Sequence, residues 1–226
     1  MFKMLRNGIG TTLMLAANLA HASVLFESAS NRTEFSPSSS SATSSGWLVR
    51  DYRPTWRDAT QFPAMPFSLP QDSSVTGAQL AITALAPWSA NYSVQILPDE
   101  AGKPGAIPVW IATSLTPAPS FVANGTYSFS DVTGPMATLS ASTHYWLTMS
   151  CFANCELAWW ADTTNSGPGA IQNNSIFPYS LHWTISQDNA AMFRVLGTVS
   201  VVPESSTRFL LLVGLLFGLV SLLKRE

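Results

Sequence analysis

The middle of the chain alternates apolar and polar residues with a period of two, which is the spacing of side chains along a β-strand. The pattern is clearest at residues 78–84 and 92–96, and it returns at 144–150. Clusters of Gly, Pro, Asn and Ser separate roughly ten such segments, and no amphipathic helix interrupts them. This spacing predicts an all-β fold, an antiparallel β-sandwich of jelly-roll-like form.

Two details of this pattern make specific predictions about the strands. Residues 78–84 alternate without a break and are expected to form one continuous strand. Another strand begins at Thr60, and Pro63 and Pro66 are expected to interrupt it because proline cannot donate to a sheet.

The first 22 residues have the layout of a secretory signal peptide. Lys3 and Arg6 give a positive start, residues 9–20 are largely apolar, and a small-x-small site ends at Ala22. Cleavage is therefore expected between Ala22 and Ser23. After cleavage, the mature chain would lie in an extracytoplasmic compartment.

The C-terminal end is also apolar, with a basic terminus. The segment at residues 209–223 is 15 residues long and uncharged, and Lys224 and Arg225 follow it. As a helix it would span about 22 Å, somewhat less than the roughly 30 Å hydrocarbon core of a bilayer. We expect a single transmembrane helix here, with the tail in the cytoplasm and the rest of the chain outside.

Residues 23–200 are about one domain's worth of chain. Residues 23–46 are a Ser-rich N-terminal segment, and residues 47–200 are expected to form the β-sandwich ectodomain. Six basic and eleven acidic residues give 23–200 a net charge of −5. This acidic balance argues against a nucleic-acid partner and against binding anionic surfaces through charge alone.

Both cysteines, Cys151 and Cys155, lie in this exported part. An oxidising compartment favours a disulfide between them, and free thiols are the alternative. No nearby histidine or second cysteine pair completes a zinc set, so neither a metal site nor a cofactor is expected.

Candidate catalytic residues are few. Of the histidines only His144 and His182 remain after signal removal, and no Gly-x-Ser-x-Gly motif occurs. Glu156 and Asp162 flank two tryptophans, as in a glycosidase cleft, but one regular strand would separate them by about 20 Å. No catalytic residue is therefore assigned. An envelope glycosidase ranks below the two non-enzymatic functions that are considered below.

The eight tryptophans are the main sign of a binding function. Trp159 and Trp160 are adjacent, so a regular strand would point them to opposite faces. One is then expected in the core, and the other either offers a stacking surface to a sugar or packs beneath a loop. Residues 99–105 predict a hairpin turn in preference to a calcium loop, because only Asp99 and Glu100 carry carboxylates there.

The tail carries the motif Val202-Pro203-Glu204-Ser205, followed by the apolar run 209–223 and the basic end. This arrangement resembles the PEP-CTERM sorting signal of Gram-negative bacteria that make exopolysaccharide. Ser205 stands where the family usually has a second proline. The resemblance implies recognition by an exosortase, a membrane-embedded transpeptidase-like enzyme that removes the tail.

Four short segments of the body, residues 59–62, 92–96, 99–105 and 139–147, carry a second resemblance. Over residues 59–199 the body resembles the choice-of-anchor R domain, a β-rich extracellular module. That family has no established catalytic residues, so the resemblance implies none here.

Together these features predict an exported, non-enzymatic protein of the cell surface or extracellular matrix, associated with exopolysaccharide or biofilm. The Sec translocon and a signal peptidase would export it, and an exosortase would sort it from the inner membrane to the surface or the medium. The alternative is a module that binds envelope polysaccharide through exposed tryptophans.

Overall fold

The computed structural model describes residues 22–28, 32–37, 46–51, 60–85, 91–114, 116–151, 155–166, 168–174, 182–187 and 189–200. The predicted signal peptide before Ala22, the sorting motif at 202–205 and the predicted transmembrane helix at 209–223 lie outside these residues. No helix long and apolar enough to cross a membrane occurs in the part of the chain that is described.

Sixteen strands make up the described fold. In chain order they are β1 (Ser23–Glu27), β2 (Glu34–Phe35), β3 (Gly46–Asp51), β4 (Thr60–Ser68), β5 (Ser73–Leu80), β6 (Ile82–Ala84), β7 (Tyr92–Pro98), β8 (Trp110–Thr113), β9 (Tyr127–Ser128), β10 (Ser130–Leu139), β11 (His144–Cys151), β12 (Cys155–Ser166), β13 (Gly169–Asn174), β14 (His182–Ser186), β15 (Asn189–Ala191) and β16 (Phe193–Val199).

The strands form two main sheets in which neighbouring strands are antiparallel. The small sheet has the order β1-β16-β5-β10. The large sheet has ten strands, with the main path β15-β12-β3-β4-β11-β7-β8. The hairpin of β13 and β14 joins the large sheet at β4, and β6 joins it at β12. A separate pair of strands, β2 and β9, lies outside both sheets.

The core lies between the two main sheets. Val75 and Val195 of the small sheet belong to the same buried cluster as Val94, Leu147 and Leu157 of the large sheet. Because these residues alternate along their strands, the period of two in the sequence places one set of side chains in this core. The predicted all-β antiparallel fold is confirmed, and the shared core is consistent with a β-sandwich.

The predicted continuous strand at residues 78–84 is wrong, because the chain changes sheets in the middle of it. β5 ends at Leu80 in the small sheet, and β6 begins at Ile82 in the large sheet. Ala81 forms the corner, where its N–H donates to the Met192 carbonyl (3.2 Å) and its carbonyl accepts from Trp160 N–H (2.8 Å). Met192 is itself the corner between β15 and β16. The two corners therefore hold each other where the sheets meet.

The predicted interruption at Pro63 and Pro66 is also wrong, since β4 runs through both residues. Within the described pairings, Pro63 lies opposite Ile171 of β13, and Pro66 lies opposite Trp146 of β11. Each proline thus has a strand partner on one side. Proline has no N–H to donate, so it is tolerated in a strand where no pairing strand needs a hydrogen bond from that residue.

Two short strands, β1 and β2, lie within the predicted Ser-rich segment at residues 23–46. β1 pairs with β16 in the small sheet. Phe35 of β2 is buried in a second apolar cluster. The segment at residues 23–46 therefore contributes strands to the body.

Candidate functional site

Trp159 lies in the core between the sheets and is 0% exposed. Its indole Nε1 donates to the Met192 carbonyl at 3.0 Å, and its ring meets Phe193 edge-on with centroids 5.9 Å apart. The predicted stacking surface therefore does not exist at Trp159. The residue instead ties the large sheet to the corner at Met192.

Trp160 points to the opposite face of β12, as the alternation predicts, but it is only 2% exposed. It belongs to the second apolar cluster with Phe35 and Phe129, and Phe121 stacks on its ring at 5.5 Å. Its Nε1 donates to Thr83 Oγ1 at 3.0 Å. The prediction that Trp160 offers a stacking surface is wrong, and the alternative that the second tryptophan packs beneath a loop is confirmed.

The predicted disulfide between Cys151 and Cys155 is confirmed. The bond joins the end of β11 to the start of β12, across Cα atoms 6.0 Å apart. Both residues are buried in the main core. The cross-link thus fixes the return between two strands of the large sheet.

The candidate catalytic residues do not converge in the described part of the chain. His144 is exposed at the start of β11, and the Glu156 carboxylate pairs with Arg50 Nη2 at 3.3 Å across β12 and β3. The side chains of Asp162 and His182 lie outside the described residues. No group of three or more possible metal ligands occurs among the residues that are described.

Burial raises the pKa of Tyr92, whose side chain is in the main core.

The predicted hairpin turn after β7 is confirmed. Asp99 pairs with Pro104, and Glu100 and Lys103 exchange backbone hydrogen bonds of 2.8 and 3.3 Å. Both Asp99 carboxylate oxygens have donors, Trp146 Nε1 at 2.7 Å and Gly102 N–H at 3.0 Å. Because the turn itself uses this carboxylate, Asp99 acts as a structural acceptor.

The two residues at the tip of this turn give a prediction on stability. Ala101 and Gly102 have φ angles of 55° and 79°, a left-handed conformation that costs a residue with a Cβ about 1–2 kcal/mol. We expect Ala101→Gly to raise the free energy of unfolding by about 0.5–1 kcal/mol and Gly102→Ala to lower it by about 1 kcal/mol.

The pair is a controlled test, since a Cβ at Gly102 would meet no atom within 4 Å. Urea denaturation measures both variants. Changes of the same sign in the two variants would contradict this account of the turn.

The outer face of the large sheet carries a groove. Four residues lie side by side across neighbouring strands: Ala170 opposite Ala64, Ala64 opposite Thr148, and Thr148 opposite Gln95. Ala64 and Ala170 are fully buried because Trp183, Leu97 and Trp146 pack over them in a third apolar cluster. Of these four residues, Gln95 and Thr148 line the groove, whereas Ala64 and Ala170 lie in the cluster against which Trp183 packs.

The groove has a volume of about 380 Å³. Its floor presents Gln95, Thr148, Ser150 and Gln172 from β7, β11 and β13. Trp183 of β14 forms one wall, and the turn after β7 forms the other with Glu100 and residues 104–106. No lysine, arginine or histidine is among the described residues that line it. The lining therefore combines an aromatic ring, neutral amides and hydroxyls, and one carboxylate.

Several groups on the groove floor are available to a ligand. Within the described residues, the side chains of Gln95, Gln172 and Ser150 make no hydrogen bond to protein. Thr148 Oγ1 donates to the Pro63 carbonyl at 2.9 Å and keeps its acceptor capacity. Sequence reasoning missed this site because its floor comes from strands far apart in the chain.

The first and last strands of the body meet at one place, here called the terminal pole (Ser23, Gly197 and Ser200). Ser23 pairs with Gly197, and its hydroxyl donates to the Gly197 carbonyl at 3.1 Å. Ser200 N–H donates to the Asp72 carbonyl at 2.8 Å. A Cβ at Gly197 would clash with the Ser74 carbonyl oxygen, so β16 approaches β5 at a distance that only glycine permits.

The chain matches no protein-family model, and no curated protein shows significant similarity to it. The resemblances of the tail and of the body to known families therefore stay predictions.

Proposed function

We propose that the chain is an exported, non-enzymatic protein of the cell surface or extracellular matrix. In this proposal a signal peptide directs export, and an exosortase then processes the tail at residues 202–205. The product reaches the envelope surface or the medium, where it associates with exopolysaccharide.

The observation that carries this proposal is the terminal pole. The predicted cleavage site between Ala22 and Ser23 immediately precedes β1, and the predicted sorting motif begins two residues after Ser200. Since Ser23 and Gly197 are paired, both membrane-directed segments are attached to the same end of the body. Whether the N-terminal or the C-terminal segment attaches the body to the membrane, the side of the body opposite the terminal pole would face outward. The order of the small sheet, with β1 beside β16, also supports the jelly-roll-like form.

Intact-mass measurement of the protein from its host, with and without the exosortase gene, tests the proposal. We expect the mature chain to begin at Ser23 in both strains. In the wild-type strain it should lack residues 209–226, and in the deletion strain it should retain them. The matched control is Met136→Ala, an exposed substitution on β10 that should leave processing unchanged.

Two results would contradict different parts of the proposal. If residues 209–226 remain in both strains, sorting is wrong and the tail is a permanent anchor. If Met1 remains and the chain is recovered from the cytoplasm, export itself is wrong.

A further inference from the structure

We propose that the groove on the outer face of the large sheet binds a neutral polysaccharide, with Trp183 as the surface on which a sugar ring stacks. This site replaces the pair Trp159 and Trp160, which are buried. It does not depend on how the tail is processed, so the two proposals can fail separately.

The lining residues have the chemistry that a sugar requires. Gln95 and Gln172 each present donors and an acceptor on one side chain, which matches vicinal hydroxyls that also donate and accept. Ser150 and Thr148 add hydroxyls between them on β11. Trp183 is half-buried against Ala170 and its neighbours, so its position is fixed while part of the ring remains accessible. A ring held in this way loses little entropy when an apolar sugar face packs on it.

Other classes of ligand fit the groove less well. Phosphate groups and nucleic acids need basic side chains, and none is among the described residues of the lining. A peptide that binds by strand addition needs a free sheet edge, whereas the groove lies on a sheet face where β4 and β7 are both paired with β11. A volume of about 380 Å³ lies in the range of small-molecule pockets, so the groove can hold a short segment of a polysaccharide.

Charge decides between neutral and acidic polysaccharides. Glu100 is the charged residue of the described lining, and the chain from 23 to 200 has a net charge of −5. The Glu100 carboxylate and the negative net charge would both repel a uronic acid or a sulfate group. No basic side chain among the described lining residues offsets this repulsion. A neutral sugar can instead donate hydroxyl hydrogen bonds to the Glu100 carboxylate.

Affinity electrophoresis of the purified host protein, in gels that contain one soluble polysaccharide each, tests the proposal. The neutral probes are a β-glucan, a galactomannan and a xylan, and the acidic probe is alginate. We expect at least one neutral probe to retard the protein and alginate to leave its migration unchanged. Trp183→Ala should weaken the binding at least about tenfold, and Gln172→Ala by about three- to tenfold.

Two further variants make the result decisive. Gln95→Ala changes a half-buried polar side chain and therefore tests the groove even if Trp183→Ala disturbs packing. Met136→Ala, exposed on β10 and outside the groove, should bind as the parent protein does. Thermal denaturation of each variant identifies loss of fold. Retardation by none of the neutral probes, retardation by alginate alone, or full binding by folded Gln95→Ala and Gln172→Ala proteins would overturn the proposal.

Discussion

Replacing Trp159 with alanine is expected to lower the free energy of unfolding by about 3–5 kcal/mol, the usual range for a large aromatic residue in a core. Trp159 is fully buried and packs edge-on against Phe193. Its loss would open a cavity between the two sheets. The Met192 carbonyl would also lose the indole donor at 3.0 Å. Both effects fall at the corner where the chain changes sheets.

Urea denaturation of the chain from Ser23 to Ser200 measures this effect. Trp159→Phe separates its two parts, because it keeps most of the packing and removes the hydrogen bond. Its expected cost is about 1–2 kcal/mol. Ile107→Ala is the matched control, since Ile107 is 77% exposed and its change should stay within about 0.5 kcal/mol. A loss below about 1 kcal/mol for Trp159→Ala would show that the core does not depend on this residue.

Replacing Arg194 with alanine is the second large effect that we expect, about 3 kcal/mol of unfolding free energy. Arg194 is 9% exposed on β16. Its Nε and Nη2 contact the Glu27 carboxylate at 2.7 and 2.6 Å, and its Nη1 donates to Gln79 Oε1 at 3.1 Å. The guanidinium lies over the Phe129 ring at 4.6 Å from its centroid. Its removal would leave Glu27 without this partner beside the sheet.

The expected consequence is local as well as global, because Glu27 is the last residue of β1. Hydrogen exchange of the β1 amides should increase more than that of β7, which belongs to the large sheet and does not pair with β16. A double-mutant cycle with Glu27→Gln should give a coupling energy of at least about 1 kcal/mol. Coupling near zero, with β1 amides still protected, would mean that the ion pair does not hold β1 in place.

The alternation in the sequence was sufficient to predict the core faces of β7 and β11. Tyr92, Val94 and Ile96 are all buried in the main core, and so are Leu147 and Met149. These strands have one side toward the opposing sheet, so local periodicity and burial agree. The change of sheet at Ala81 could not be predicted in this way. Leu80 and Ile82 both face the core, so the corner leaves the pattern of apolar residues intact.

The tryptophan pair shows a second limit of local reasoning. The alternation correctly placed Trp159 and Trp160 on opposite faces of β12. It could not show that Phe35 of β2 and Phe129, distant in sequence, cover the outer face. The groove has the same origin, since Gln95, Thr148 and Gln172 become neighbours only when β7, β11, β4 and β13 pair. Such sites depend on strand order, which the spacing of apolar residues does not encode.

The meeting of β1 and β16 makes the body suited to circular permutation. Ser23 is paired with Gly197, and Ser200 lies three residues further along the chain, so a linker of a few residues could join the two ends. The turn at Asn124, which is exposed and has a φ angle of 59°, offers a place for new ends outside the groove lining. The order in which the strands are connected could then change while the pairing of the small sheet is kept.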